Sequence, residues 1–203
     1  MPQRWQTETG LYMDTARLLL SLLHAWNMDE NLDPICLKNL KLLKPKVPIC
    51  YGTISRKGHI SLWQQNRALT TVHLLSVIAL SNTLMSFRSR HLHLTAKRPV
   101  LRRVSSTKST DSTADNESQQ IKQGWSNVAA LHCVLLPDLV KPSTSYAAPR
   151  IDLLARRWQD NCIEIRDASQ ALLIREFERL GPQGKCSKAI AFVIFVYGFK
   201  RHA

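Results

Sequence analysis

Residues 151–181, IDLLARRWQDNCIEIRDASQALLIREFERLG, decide the reading of this chain. Ile151, Leu154, Ala155 and Trp158 fall at i, i+3, i+4 and i+7, one face of a helix. The pattern stops at Asp160-Asn161, a turn-forming pair. A second helix starts near Glu164, with Ile165, Ala168 and Leu172 on one stripe and Leu173, Phe177 and Leu180 beside it. Gly181-Pro182 ends it, as a glycine past the last turn followed by proline does. The stretch is therefore two helices folded back on each other. Trp158 is expected to be a buried anchor between them.

A short helix, an Asp at the turn, then Arg166 and Ala168 early in a broader helix is similar to a HEAT-type repeat. Such a unit leaves one apolar face uncovered and needs stacked neighbours. The expected fold class is all-α, a HEAT/armadillo-like α-solenoid segment. The chain upstream fits. Asp14–Trp26 reads as a helix with Ala16, Leu19, Leu20 and Leu23 on one face and Asp14 or Thr15 as its cap. After a turn at Asn27–Asn31, Leu32–Leu43 reads as a second helix, with Ile35, Leu37, Leu40 and Leu43 available for burial. Residues 1–13 read as a disordered start. Ile49–Trp63, punctuated by Gly52 and Gly58, reads as a short hairpin or an irregular crossing within an irregular segment 49–69 of the first helical unit, 14–95. Thr70–Phe87 returns to helix. Residues 96–123, rich in Ser, Thr, Gln and Lys, read as a disordered linker. Gly124–Val140 is helical up to Pro137, with Trp125, Val128, Ala129, His132 and Cys133 sharing a face, and opens a second helical unit, 124–184. Residues 185–203 form an atypical hydrophobic tail.

The 203 residues carry 28 Lys+Arg against 15 Asp+Glu, a net charge of +13, and the distribution is more telling than the total. No Asp or Glu occurs between Asp33 and Asp111, where fourteen Lys and Arg do. Such a stretch attracts anionic lipid, nucleic acid or an acidic protein face, unless its counter-charges lie elsewhere in a larger protein. The five cysteines (Cys36, Cys50, Cys133, Cys162, Cys186) are odd in number and include no Cys-x-x-Cys, which reads as free thiols in a reducing compartment, with Cys133 and Cys162 as core fillers. Thr71–Phe87 is apolar but interrupted by His73, Ser76, Ser81, Asn82 and Ser86, and Ala189–Phe199 is about half the ~20 residues that span hydrocarbon, so neither reads as a membrane helix.

Catalytic and metal chemistry find no foothold in the pattern, and no cofactor is expected. His91-Leu92-His93 lacks a four-ligand zinc spacing. His132 beside Cys133 resembles part of a nucleophile–base pair, yet sits in an apolar helix, where a satisfied core histidine is the simpler reading. Asp160, Glu164 and Asp167 cluster at the hairpin turn near Arg156, four residues before Asp160, and Arg166, so salt-bridged structure accounts for them. Arg156, Arg157, Trp158, Asp160 and Arg166 are the candidate interaction or structural residues. Arg102-Arg103-Val104-Ser105 is a basophilic kinase pattern, making Ser105 the candidate phosphosite.

Several blocks carry a family resemblance: LLLSLLHAWNMDENLDPICL, YGTISRKGHISLW, HLLSVIALSNTLMSF, GWSNVAALHCVLLPDLV and LARRWQDNCIEIRDASQALLIREFERLGPQGK. In that order they resemble the helical middle of the rabconnectin-3 beta (WD-repeat protein 7) family, over roughly residues 14–185. Members carry WD-repeat β-propellers at both ends, so this chain would be the middle alone, an isoform or a fragment. After Lys185 the sequence departs from the family pattern. The resemblance implies a non-catalytic scaffold that pairs with a rabconnectin alpha subunit and supports V-ATPase assembly and activity. It places the protein in the cytoplasm, peripheral on vesicle or endolysosomal membranes. It supplies no active-site residues. The rival expectation is a basic module binding anionic membrane or nucleic acid, although no specific nucleic-acid fold accompanies the charge.

Overall fold

The computed structural model describes residues 3–46, 66–95, 111–136, 139 and 147–180. Among them the structure is helical, without strand elements: α1 (Gln3–Leu23), α2 (Leu32–Lys38), α3 (Arg67–Thr95), α4 (Asp111–Ala130), a π-helical turn (Leu131–Leu135), α5 (Ile151–Arg156) and α6 (Ile163–Arg179). The all-α class holds. Of the irregular segment 49–69, residues 49–65 lie outside the described residues, as do the tail 185–203 and Ser105, while residues 67–69 belong to α3.

α3 is the centre. It touches α1, α4, the π turn, α5 and α6, while α2 rests on α4. Asn66 starts it: its side-chain oxygen accepts from the backbone N–H groups of Ala68 at 2.9 Å and Leu69 at 3.3 Å, two donors a helix start leaves open. Leu74, Val77, Ile78, Ala79 and Leu84 on α3 are buried against Ile121, Trp125 and Val128 of α4 and Ala168, Leu172 and Leu173 of α6. Burial on several sides explains why α3 lacks a clean polar face. Its stretch Arg67–Ser86 is long and apolar enough to cross a membrane by length and composition. In this fold that apolarity is used by helices packed around it. Its hydroxyls are absorbed by the helix itself: Thr71 donates to the carbonyl of Arg67 at 2.6 Å and Ser81 to that of Val77 at 2.8 Å.

The chain between α1 and α3 folds back on α1. The backbone N–H of Leu43 donates to the Ser21 hydroxyl at 2.8 Å, and that hydroxyl donates to the carbonyl of Arg17 at 2.7 Å. Asn27 and Lys41 both take positive φ, at 63° and 59°, so the chain reverses at each without a glycine. Gly124 is where α2 meets α4. A Cβ there would stand 2.9 Å from Leu40 Cδ2 and 3.2 Å from Ile35 Cγ2, so glycine permits the close approach.

Three helix ends in particular differ from the sequence reading. α1 begins at Gln3, not Asp14, so residues 3–13 belong to a helix and Asp14 is no cap; it accepts from Arg17 one turn on, at 3.1 Å. α4 begins at Asp111, so the linker reading is left with residues 96–110, which lie outside the described ones, and shortening 111–122 would remove helix. Extension of a formed helix suits both starts, because adding a residue to a formed helix is far easier than starting one. In α4 the packed stripe starts at Ile121, and Gln119 and Gln120 before it are exposed. α2 stops at Lys38, not Leu43. The reversal at Lys41 then changes which leucines are covered: Leu40 and Leu42 are buried, while Leu37 and Leu43 are exposed. α1 likewise buries Leu20 but leaves Leu19 facing out.

Candidate functional site: a buried histidine cluster beside the hairpin

The hairpin is built as two helices with a tight joint. Asp160 accepts from the backbone N–H of Cys162 at 3.0 Å and from Arg157 at 2.9 Å, and these two hold its carboxyl below the ordinary value. The expected partner, Arg156, is not the one used; a pair one turn apart, at i+3, replaces the pair at i+4. Arg166 approaches Asp167 at 3.9 Å. Glu164 accepts from the Cys162 thiol at 3.3 Å, and Cys162 is exposed, not a core filler. Arg156 and Arg157 are exposed as well.

Two residues that the sequence reading passed over close the joint. The Ser169 hydroxyl lies 3.0 Å from the carbonyl of Arg157 and 2.8 Å from that of Arg166, and the Gln170 amide donates to the carbonyl of Trp158 at 3.1 Å. α6 thereby satisfies the carbonyls that the end of α5 leaves open. Trp158 itself is half-buried. α5 ends at Arg156, so Trp158 sits in the following turn, off the helical stripe on which its spacing placed it. It still packs against the core. Trp158→Ala is therefore expected to cost about 1–2 kcal/mol, below the ~3–5 of a fully buried tryptophan; urea unfolding measures the difference.

The polar centre of the molecule lies elsewhere, where α1 ends. His24, His73 and His132 are 1 %, 2 % and 0 % exposed. They come from the residue after α1, from α3 and from the π turn. The ring centroids of His24 and His132 are 5.5 Å apart, and those of His73 and His132 are 5.9 Å apart. Trp26 meets His24 edge to face at 4.7 Å. On the other side of His24, Nε2 lies 3.6 Å from Asp33 Oδ1 and 3.7 Å from Cys36 Sγ.

The hydrogen bonds set the tautomers. His73 Nε2 stands 2.7 Å from the carbonyl of Leu23, and a carbonyl only accepts, so this nitrogen carries the proton. His132 Nδ1 stands 2.9 Å from the carbonyl of Val128 and is the donor there for the same reason. The π turn matters to this: its wider coil carries His132 and Cys133 at the point where the chain meets α3 and α6. Burial pushes the His73 ring down to about 4, against the Leu23 bond, and His24 pushes it further. Burial also carries His132 well below the ordinary histidine value, with His24 and His73 adding to it. Both rings are neutral at pH 7.

Around them, burial pushes the Asp33 carboxyl up, but His24, the backbone N–H of Asn27 and Lys44 outweigh it and hold it below the ordinary value. The N–H of Asn27 donates at 3.0 Å and Lys44 Nζ at 3.2 Å. Lys44 also lies 5.5 Å over the Trp26 ring. Burial, then Asp33 and Asp29, push the Cys36 thiol up to about 12, so it is no nucleophile at neutral pH. Burial likewise raises Cys133.

This arrangement joins elements, and its imidazoles and the Cys36 thiol are buried. Among the described residues no group of three His, Cys, Asp or Glu has the geometry to hold a metal. Sequence reasoning took His132 alone and read it as a satisfied core residue. One of its nitrogens is satisfied and the other, Nε2, is buried without a hydrogen-bond acceptor or donor placed on it. No spacing in the sequence links positions 24, 73 and 132. The usable signal was that each is a lone imidazole inside an apolar run.

One surface feature complements this interior. Tyr12, Met13, Thr15, Ala16 and Leu19 of α1 and Leu80, Thr83 and Leu84 of α3 line an apolar groove of about 370 Å³. Leu11, Tyr12, Leu18 and Leu19 are exposed along the same side of α1, at i, i+1, i+7 and i+8.

No protein-family model matches the chain, and no solved structure matches it. It is similar to WD repeat-containing protein 72 from Homo sapiens, 39% identical over 57 residues, which is 28% of this chain and 5% of that protein. The protein of the same name from Pongo abelii is 40% identical and that from Mus musculus 33% identical, each over 57 residues and the same shares of the two chains. The chain thus spans a small fraction of the length of these relatives. The likeness ties part of it loosely to WD-repeat proteins.

Proposed function

We propose that the chain is a non-catalytic, HEAT/armadillo-like α-solenoid scaffold segment of a rabconnectin-like WD-repeat protein. In this reading it serves V-ATPase assembly and the acidification of vesicles or endolysosomes from the cytoplasmic side. Its partners are a rabconnectin alpha subunit and V-ATPase subunits, with peripheral contact to anionic membrane. The observation that carries the reading is the apolar side of α1 and its groove against α3. Leu11 and Tyr12 are 67% and 68% exposed on a helix whose other side is packed. A helical repeat that needs a stacked neighbour presents such a face. The buried histidines and their thiol neighbour lack access to solvent, which favours binding over catalysis.

The test is co-purification of the full chain with V-ATPase subunits and rabconnectin alpha, in parallel with Leu11→Asp/Leu18→Asp. Both positions are exposed, so the double substitution is expected to keep helicity by circular dichroism and to lose the partners. Unchanged recovery of the partners, or recovery of none by the unsubstituted chain, contradicts the reading.

A second reading rests on a different observation. The acid-free interval between Asp33 and Asp111 holds fourteen Lys and Arg. A basic module for anionic membrane or nucleic acid would bind through it, and raised salt would abolish that binding as counterions are released.

A further inference from the structure

We propose that His24, His73 and His132 form an acid-sensitive latch, which holds the α1–α2 end of the chain on α3 and α4 and releases it when the cluster takes up protons. The geometry places the three rings at the joint between these parts. His73, on α3, grips the carbonyl of Leu23, the last residue of α1, at 2.7 Å. His24 follows that residue and contacts His132 of the π turn, whose ring also contacts His73.

The charged and titratable groups that face the cluster come from each element packed on it. α2 brings Asp33 and Cys36, with Asp29 beyond them. Lys44 shares the Asp33 carboxylate from the segment after α2. The π turn adds Cys133, which feels Arg175, Arg179, Glu176 and Glu178 of α6. Asp33, 3.6 Å from His24, already serves Lys44 at 3.2 Å. Further protons on His73 and His132 would place like charges about 6 Å apart in a dry interior, which is strongly unfavourable.

The direction follows from linkage. Above about pH 6.5 a released histidine is neutral, as the buried one is, and the latch costs nothing. Below it the released ring binds a proton that the buried ring refuses, so opening becomes about tenfold easier per pH unit for each such histidine. For His73 the effect continues until pH falls to about 4. With His132 alongside, the change approaches ~100-fold per unit well below pH 6.5 and amounts to about 30-fold between pH 6.5 and 5.5. Above pH 5 ordinary carboxylates remain charged in both states, so pH 6.5 to 5 is the window in which the histidines act alone.

Hydrogen exchange of the full chain, normalised to intrinsic rates, tests this. Between pH 6.5 and 5.5 the amides of α2, Leu32–Lys38, are expected to lose about 30-fold in protection while those of α6, Ile163–Arg179, keep theirs. Retained protection in both, or equal loss in both, overturns the latch. His73→Gln/His132→Asn supplies the second arm: each amide reproduces the donor nitrogen its histidine uses but does not titrate. This variant is expected to hold α2 protection unchanged across the same pH range, and an unaltered acid loss overturns the proposal. Should the double substitution not fold, the unsubstituted profile decides by the criteria above.

Discussion

Replacing Trp26 with alanine is expected to destabilise the chain by about 3–5 kcal/mol. Trp26 is fully buried, and it stands at the joint on which the α1–α2 end depends. Its Nε1–H donates to the carbonyl of Ser21 at 2.8 Å, one of the carbonyls that the last turn of α1 leaves open. Its ring supports His24 at 4.7 Å and lies under Lys44 at 5.5 Å. Alanine removes the apolar volume, the indole donor and the support of His24 together. Since domains of this size are held by roughly 5–15 kcal/mol, the loss is a large share of the total. Urea unfolding should show a lower midpoint at an unchanged slope. A loss below about 1 kcal/mol would mean that the site collapses freely and that Trp26 is not a keystone.

Leu173→Ala is expected to cost about 2–5 kcal/mol, because a fully buried leucine is cut back where neighbouring helices cannot easily close the gap. Leu173 lies on α6, which packs on α3. Leu172 beside it is also buried, and Ala168 one turn earlier lets the helices approach. Ile174→Ala, one residue further and 52% exposed, is the control and should change stability by less than about 1 kcal/mol. Equal effects at 173 and 174 would show that α6 turns a different face to α3.

The contrast between Leu173 and Ile174 also marks what periodicity delivers. The stripe Ala168, Leu172, Leu173 was legible because α6 is long enough for the 3.6-residue repeat to show, and those residues are the buried ones. Trp158 was misplaced because α5 is six residues long, too short for its end to be told from a spacing rule. Leu37 and Leu43 were placed inside on the assumption of one continuous helix, and the positive φ of Lys41 breaks that continuity. Nothing in a lone lysine announces such a turn. The histidine cluster was illegible for a different reason. Its members are separated by about fifty and about sixty residues along the chain, and only tertiary packing brings His24 and His73 within 6 Å of His132. The groove between α1 and α3 is of the same kind: its α1 half lies in a segment read partly as an unstructured start, and its α3 half in a helix read as mostly buried.

The proposed function requires that the apolar surface of this helical chain meet other proteins. The most direct measurement is the affinity of the purified chain for rabconnectin alpha and V-ATPase subunits as a function of salt. The expected result is saturable binding that changes little as salt is raised, since apolar contacts are not screened, and that Leu11→Asp/Leu18→Asp abolishes. Binding that instead goes only to anionic vesicles or RNA, and falls steeply with salt in the manner of counterion release, would contradict it.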